Sequence, residues 1–353
     1  MFVPQRRRAA KGGFPPAPVQ CMYWIATDIE DQPDHMRILR HFQETPDDLT
    51  AATVAIGNFD GVHRGHQAVI GHAADAARNG NTPLIAMTFE PHPRRFFQPG
   101  GKPFRLTPIR TKFVQIAALG VDAMLVVRFD RRFSQLTGEE FIDRVLIDGL
   151  KARHIVVGYD FTFGRDRGGN AELLATYSNA GAFEFDSIEP VASADDIIYS
   201  STAIRNHLHE GRPGHAAALL GRPFEIEGRV THGDQIGRTI GFPTANVLLA
   251  NYLQPAFGIY AVRVGLEDSG IISWHDAVAN LGTRPTVGGT YPLLEPHIFD
   301  FSGDLYGQRI RVAFIEYIRP ETHYDTIEKM TKQIENDCDV ARRILKTRAA
   351  GAA

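Results

Sequence analysis

Cysteine is scarce. The chain of 353 residues has two, Cys21 and Cys338, far apart in sequence. That excludes a disulfide framework and points to a reducing, cytoplasmic compartment. No run approaches the roughly 20 consecutive apolar residues of a membrane span. No signal-peptide core follows the basic start, so no membrane partner is expected. Neither sign of charge prevails, with 38 basic against 41 acidic residues and a formal net charge of −3. Such a balance argues against a general nucleic-acid binder. What is present is an ordinary globular composition, 43% apolar and 22% charged, in a chain long enough for two domains.

The rest of the chain is organised around Gly57-Asn58-Phe59-Asp60-Gly61-Val62-His63-Arg64-Gly65-His66. The apolar run Thr53–Ile56 before it reads as a buried strand, and a helical pattern from about Gly65 to Arg78 follows. Glycines in such a strand-to-helix turn let backbone N–H groups approach a ligand closely. His63 and His66 fall on one helix face if the helix starts here. Imidazole N–H groups beside a helix N-terminus are suited to a phosphate whose charge grows in a transition state. A metal pair is the competing reading, but no third ligand stands at an obvious spacing. Asp60 is ambiguous between capping the turn and touching a ligand.

The stretch Gly57 to His66 resembles the signature of the nucleotidyltransferase superfamily that also holds class I aminoacyl-tRNA synthetases. Its longer form resembles the bacterial bifunctional riboflavin kinase/FMN adenylyltransferase family, and further matches run from about Thr53 to about Arg343. The resemblance implies ATP and phosphate contacts at Gly57, Asn58, Phe59 and Gly65, with His63 and His66 catalytic. Ser200-Ser201-Thr202-Ala203-Ile204-Arg205 resembles the family's Ser-Ser-Thr-x-x-Arg segment. It offers hydroxyls and a guanidinium at the start of a helix, and Arg205 is expected on the β- and γ-phosphates. Thr88-Phe89-Glu90-Pro91-His92-Pro93 and Gly158-Tyr159-Asp160-Phe161-Thr162-Phe163-Gly164 also match. Pro91, Asp160, Phe161 and Phe163 are the expected flavin contacts, because a flat apolar ring favours aromatic neighbours. Core packing is the alternative for Phe161 and Phe163.

A second signal lies at Gly233-Asp234-Gln235-Ile236-Gly237-Arg238-Thr239-Ile240-Gly241-Phe242-Pro243-Thr244-Ala245-Asn246. It is no Walker A loop, since no Gly-Lys-Ser/Thr follows. It still has what a phosphate loop needs, in Gly233, Gly237, Gly241 and the adjacent Arg238. Thr244 and Asn246 share a face if the backbone is extended, where their oxygens suit Mg²⁺. The stretch resembles the riboflavin kinase signature ending Pro-Thr-Ala-Asn, which implies that Thr244 and Asn246 hold the metal of Mg-ATP. Transfer to an alcohol needs a base. Leu294-Glu295-Pro296-His297-Ile298 resembles the kinase's Glu-x-His strand, which makes Glu295 the base and His297 a supporting residue. Pro296 between them implies an edge position. Asn280 to Thr286, Tyr306-Gly307 and Asp337 to Arg343 match the family too. In the last, a helix packed on the barrel suffices as explanation.

From Thr53 to about Glu210 strand and helix patterns alternate. Strands are read at Pro83–Phe89, Ala123–Arg128 and Ile155–Val157. Helices are read at Pro108–Leu119 with Thr107 as N-cap, at Thr137–Gly149 and at Asn170–Asn179. This order implies a Rossmann-like α/β nucleotidyltransferase domain with a parallel sheet. Its ligands are expected at the carboxyl ends of the strands. From about Arg222 short runs appear at Phe224–Val230, Gly258–Val264, Trp274–Ala279, Ile298–Phe301 and Ile310–Ile315. They predict a small antiparallel β-barrel closed by a C-terminal helix over Glu321–Arg348. The expected division is an N-terminal extension at 1–35, an adenylyltransferase domain at 36–210, a linker at 211–221 and a kinase domain at 222–348. The extension is basic and Gly/Pro-rich and has little to pack with. A presequence, an unpacked tail and a start at Met36 stay open there.

The resemblance thus implies one chain that phosphorylates riboflavin to FMN with ATP and then adenylylates FMN to FAD, both steps with Mg²⁺. Its partners are the small molecules riboflavin, FMN and ATP, and it is a monomer or weak homo-oligomer. The competing readings are an adenylyltransferase with a decayed barrel and a flavin-sensing regulator. Intact Thr244, Asn246 and Glu295 oppose the first, and His63, His66 and Glu295 together oppose the second.

Overall fold

The computed structural model describes residues 36–191, 198–233, 237, 240–268, 270–286 and 289–350, with side chains except at 284–290, 349 and 350. Six strands form a parallel sheet: β1 (Arg37–Leu39), β2 (Thr53–Ile56), β3 (Leu84–Glu90), β4 (Ala123–Arg128), β5 (His154–Gly158) and β6 (Glu184–Ile188). Their order is β1-β4-β3-β2-β5-β6. Every residue of β2 is buried, as expected of a strand covered on both faces. The chain winds outward from β2 through β3 and β4, then crosses to β5 on the other side. The strand order therefore switches between β2 and β5, where such sheets open a crevice at their carboxyl ends.

Helix α1 (Arg64–Gly80) follows β2, and His63 caps it by accepting the His66 N–H at Nδ1. α2 (Pro93–Phe97) and α3 (Ile109–Ala117) follow β3. The predicted Thr107 cap is corrected: Pro108 occupies the cap position of α3 and no side chain caps it. Thr107 is drawn away, because its Oγ1 accepts from the Gly61 N–H and its own N–H donates to Asp60. The predicted Thr137–Gly149 helix exists in two parts. α4 (Gly138–Phe141) starts on a Thr137/Glu140 capping box and continues as a π-helical stretch over Ile142–Gly149. α5 (Ala171–Asn179) is capped by Asn170. α6 (Ser201–His209) and α7 (Pro213–Leu220) lead out of the sheet.

The remaining strands are β7 (Phe224–Thr231), β8 (Asn246–Leu248), β9 (Gly258–Asp268), β10 (Ile271–Thr286), β11 (Gly289–Ile298) and β12 (Arg309–Arg319). They close into an antiparallel barrel in the order β10-β11-β8-β7-β12-β9. The Ile298–Phe301 strand is corrected: the strand ends at Ile298 and the chain turns through Asp300 at φ +54°. Pro296 is corrected as well, since β11 pairs with β10 on one side and β8 on the other. It is tolerated because β8 begins only at Asn246. Beyond that point the Pro296 carbonyl accepts from the Ala245 N–H, and no strand donor is needed from the ring nitrogen.

α8 (Ile327–Ala350) packs Cys338, Ala341 and Leu345 onto Ala261, Val278 and Phe299 of the barrel's outer face. Asp337 on this helix is buried and forms an ion pair with the half-buried Arg319 at 2.6 Å. Leu106, Ile204 and Leu208 share one hydrophobic core with Phe224, Ile226 and Tyr252 of the barrel half. Among the described residues no helix is long and apolar enough to cross a membrane.

Candidate functional site

Two cavities hold the expected residues. The front one, about 380 Å³, opens at the carboxyl ends of β2 and β5. Gly57, Asn58, His63, Gly65 and His66 line it from the turn, and Ser200, Ser201, Thr202 and Arg205 from α6. The two imidazoles stack with centroids 3.6 Å apart. Phe59 is buried, its ring meeting His66 edge-on at 5.4 Å. It lines the cavity beside Asn58 and supports the His66 ring.

Burial lowers the pKa of His63 to about 4; Asp60 opposes this, while Arg205 and Arg222 add to it. His66 is lowered well below the ordinary value, by burial first and then by His63, Lys112 and Arg205. Both rings are therefore neutral near pH 7. A neutral imidazole has one N–H to donate, and Nδ1 of His63 already accepts, which leaves Nε2 as its donor.

Asp60 lines the cavity and also ties the turn to its neighbours. Its carboxylate accepts from the N–H groups of Leu106 and Thr107 and from Arg205 Nη2 at 2.6 Å. Arg205 also donates Nε to the Phe104 carbonyl. Ser200 Oγ accepts from the Ala203 N–H as the cap of α6, and Ser201 Oγ donates to the Asp60 carbonyl. The hydroxyls thus join α6 to the turn, and the first N–H groups of α6 remain for an anion.

Asp160 and Phe161 line the same cavity. Phe163 does not; it is buried against Phe141 and Phe161 in the core of the sheet half. Pro91 is also outside the lining, where His92, Arg94 and Phe104 stand instead. His92 caps α2 by accepting the Arg94 N–H and meets Phe104 edge-on.

Two cations, Lys112 buried and Arg222 half-buried, escaped the sequence reading. Lys112 of α3 donates to the Asn58 carbonyl at 2.7 Å and to Thr88 Oγ1 at 3.0 Å. Arg222, just before the barrel, donates to the Gly61 carbonyl at 2.7 Å and to the Val62 and Leu220 carbonyls at 3.3 Å. No motif marks either residue. Their roles come from segments that meet only in the fold.

The rear cavity, about 530 Å³, is lined by Gly237, Pro243, Thr244, Asn246, Glu295, Asp304 and Tyr306 among others. Asn246 opens β8, while Thr244 lies in the irregular segment before it. Asn246 Oδ1 is buried with no hydrogen-bond partner among the described residues. An unpartnered amide oxygen beside a threonine hydroxyl fits a hard cation such as Mg²⁺. Gly233 is required here, because a Cβ would lie 2.6 Å from Asn246 Nδ2. Glu295 stands opposite Asn280 in the β11/β10 register. His297 donates Nδ1–H to the Pro243 carbonyl at 2.8 Å, which holds the segment carrying Thr244. Gly241 lies at φ +88° in the turn after Gly237. Arg238, together with 234–236 and 239, lies outside the described residues.

The family model described as FAD synthetase matches residues 45–203, and that described as riboflavin kinase matches residues 220–345. The bifunctional riboflavin kinase/FMN adenylyltransferase of Escherichia coli K12 is 41% identical over 308 residues, covering 87% of this chain and 96% of that protein. The protein of the same description from Haemophilus influenzae is 38% identical over 307 residues, covering 87% and 98%. A crystal structure from Streptococcus pneumoniae, described as a macrolide-efflux protein, superposes with a TM-score of 0.76 at 32% identity. It covers 87% of this chain and 98% of that one. With both family models matched in sequence and relatives of this identity covered nearly end to end, the chain belongs to the bifunctional riboflavin kinase/FMN adenylyltransferase family.

Proposed function

We propose that the two reactions occur in the two separate cavities, kinase at the rear and adenylyl transfer at the front. The chain phosphorylates riboflavin to FMN with ATP, then joins FMN to the adenylyl group of a second ATP and releases pyrophosphate. The observation that carries the assignment is that the two cavities have no lining residue in common: His63, His66 and Arg205 line the front one, and Gly237, Thr244, Asn246 and Glu295 the rear one. The corresponding division of the chain is 36–210 for adenylyl transfer, 211–221 for the linker and 222–348 for the kinase.

At the front, the attacking FMN phosphate is already ionised and needs no base. The task is to align two anions and offset charge at the α-phosphorus and the leaving pyrophosphate. The neutral imidazoles of His63 and His66 donate N–H groups there, beside the free N–H groups at the start of α1. Gly57, Asn58 and Gly65 form the backbone wall. Arg205 keeps its pair with Asp60 and offers its remaining N–H groups to the leaving phosphates, and Asp160 and Phe161 flank the flavin ring.

At the rear, the ribityl hydroxyl must lose a proton, and Glu295 takes it. Thr244 and Asn246 would hold Mg²⁺, which offsets charge on the ATP phosphates when bound. Gly233, Gly237, Arg238 and Gly241 form the phosphate loop. A cytoplasmic location agrees with a reducing compartment for the two cysteines, Cys21 and Cys338.

The test is chromatography of products from riboflavin, ATP and Mg²⁺. FMN should rise first and FAD follow. Unchanged riboflavin removes the kinase assignment, and an end at FMN removes the adenylyl-transfer assignment.

A further inference from the structure

We propose that Lys112 is a positioning residue for adenylyl transfer, a buried ammonium that aims the Gly57–His66 turn at the cavity and finds its counter-charge in the nucleotide's phosphates. It rests on the reading of the front cavity as the site of adenylyl transfer.

Lys112 is 1% exposed and makes no ion pair among the described residues. Two carboxylates face it, Glu90 at the end of β3 and Asp60 in the turn. Both are committed elsewhere: Glu90 to a two-pronged pair with Arg105, and Asp60 to Arg205. His66 on α1 and His92 before α2 also face this cluster, and burial lowers the pKa of each. Two acids balance two guanidinium groups, and Lys112 is the odd charge.

Burying an unpaired ammonium is unfavourable unless something compensates it. The Asn58 carbonyl and the Thr88 hydroxyl give it two acceptors but no negative charge. Accordingly burial lowers its pKa to about 8; Glu90 and Asp60 oppose that and Arg105 adds to it. The missing charge lies across one peptide plane. In a trans peptide the N–H points away from the C=O. Holding the Asn58 carbonyl at Lys112 therefore turns the Phe59 N–H to the opposite side, toward the cavity that Asn58 and Phe59 line. Lys112 itself is absent from that lining, so it acts through the turn and through its field, which is strong in a low-dielectric interior.

Full-length Lys112→Met and Lys112→Arg test this. In K112M, kcat/KM for ATP in FAD formation should fall ~10- to 100-fold, with FMN formation unchanged. The ligand-free variant should unfold at the same or a higher temperature, since an unpaired buried charge has gone. K112R should retain more FAD formation than K112M. Calorimetry with α,β-methylene ATP near pH 8, in buffers of differing ionisation heat, should show more proton uptake by the wild type than by K112R.

Undiminished FAD formation in K112M, equal loss in both variants, or equal proton uptake by wild type and K112R overturns the proposal. If K112M fails to fold, the wild-type pH profile decides. kcat/KM for ATP in FAD formation should fall as pH rises through about 8 while FMN formation does not, and parallel profiles overturn the proposal. Absence of FAD formation in the wild type would instead count against the site reading itself.

Discussion

Burial keeps the two imidazoles, stacked 3.6 Å apart, from carrying charge, and for His66 the neighbouring His63 adds to this. His63 and His92 both fall from 6.5 to about 4. A depressed pKa means that the unfolded chain binds the proton first. The stabilisation is complete above about pH 6.5 and is lost as pH falls toward about 4. The thermal midpoint of the ligand-free protein should therefore drop across that window, and His63→Asn should flatten the slope. Differential scanning calorimetry at several pH values measures it, and parallel slopes would contradict the burial of a neutral His63. The residues visible in sequence were those whose chemistry is local: His63 and His66 three apart, Thr244 and Asn246 two apart, Glu295 and His297 two apart. Asp60 was ambiguous because its partners, Leu106, Thr107 and Arg205, come from distant segments. Phe163 could not be told from a ligand contact, since an aromatic ring at a strand end reads the same whether it faces a cavity or the core.

The elements that the sequence concealed share a cause. β1 and β6 lie at the two edges of the sheet, and neither has the apolar run by which interior strands are recognised. β8 is three residues long, too short for any pattern. β11 (Gly289–Ile298) lies before the run read at Ile298–Phe301, and the barrel accepts Pro296 away from an edge because β8 has not yet begun there. The turn between β2 and α1 was clear, and its geometry makes a sharp demand. Gly61 lies at φ +96°, and a Cβ there would be 2.9 Å from Leu106 Cδ1. Gly61→Ala should cost about 1–3 kcal/mol of stability and lower FAD formation more than FMN formation. Urea unfolding together with both assays checks this. An alanine variant of wild-type stability would mean that the turn is differently built.

Across the whole molecule, the start of the barrel half holds the turn that lines the front cavity. Arg222 holds the Gly61 and Val62 carbonyls, while Gln67 Nε2 binds the Val62 and Leu220 carbonyls at 2.8 and 3.0 Å. Burial lowers the Arg222 pKa to about 10. Arg222→Gln should lower kcat/KM of FAD formation by about tenfold and leave FMN formation near normal, although the residue sits beside β7. Equal loss of both activities would indicate general damage to the shared core. Composition and alternation made the sheet-then-barrel order legible. The contacts that join the halves were not, because they pair segments about 160 residues apart.

The most direct measurement is the separate assay of both reactions in Glu295→Gln and His66→Ala. E295Q should lose FMN formation by roughly 10²–10⁴-fold while converting supplied FMN to FAD at the wild-type rate. H66A should form FMN normally and lose FAD formation by roughly 10²–10³-fold. If each folded variant loses both reactions together, the assignment of one reaction to each cavity is wrong.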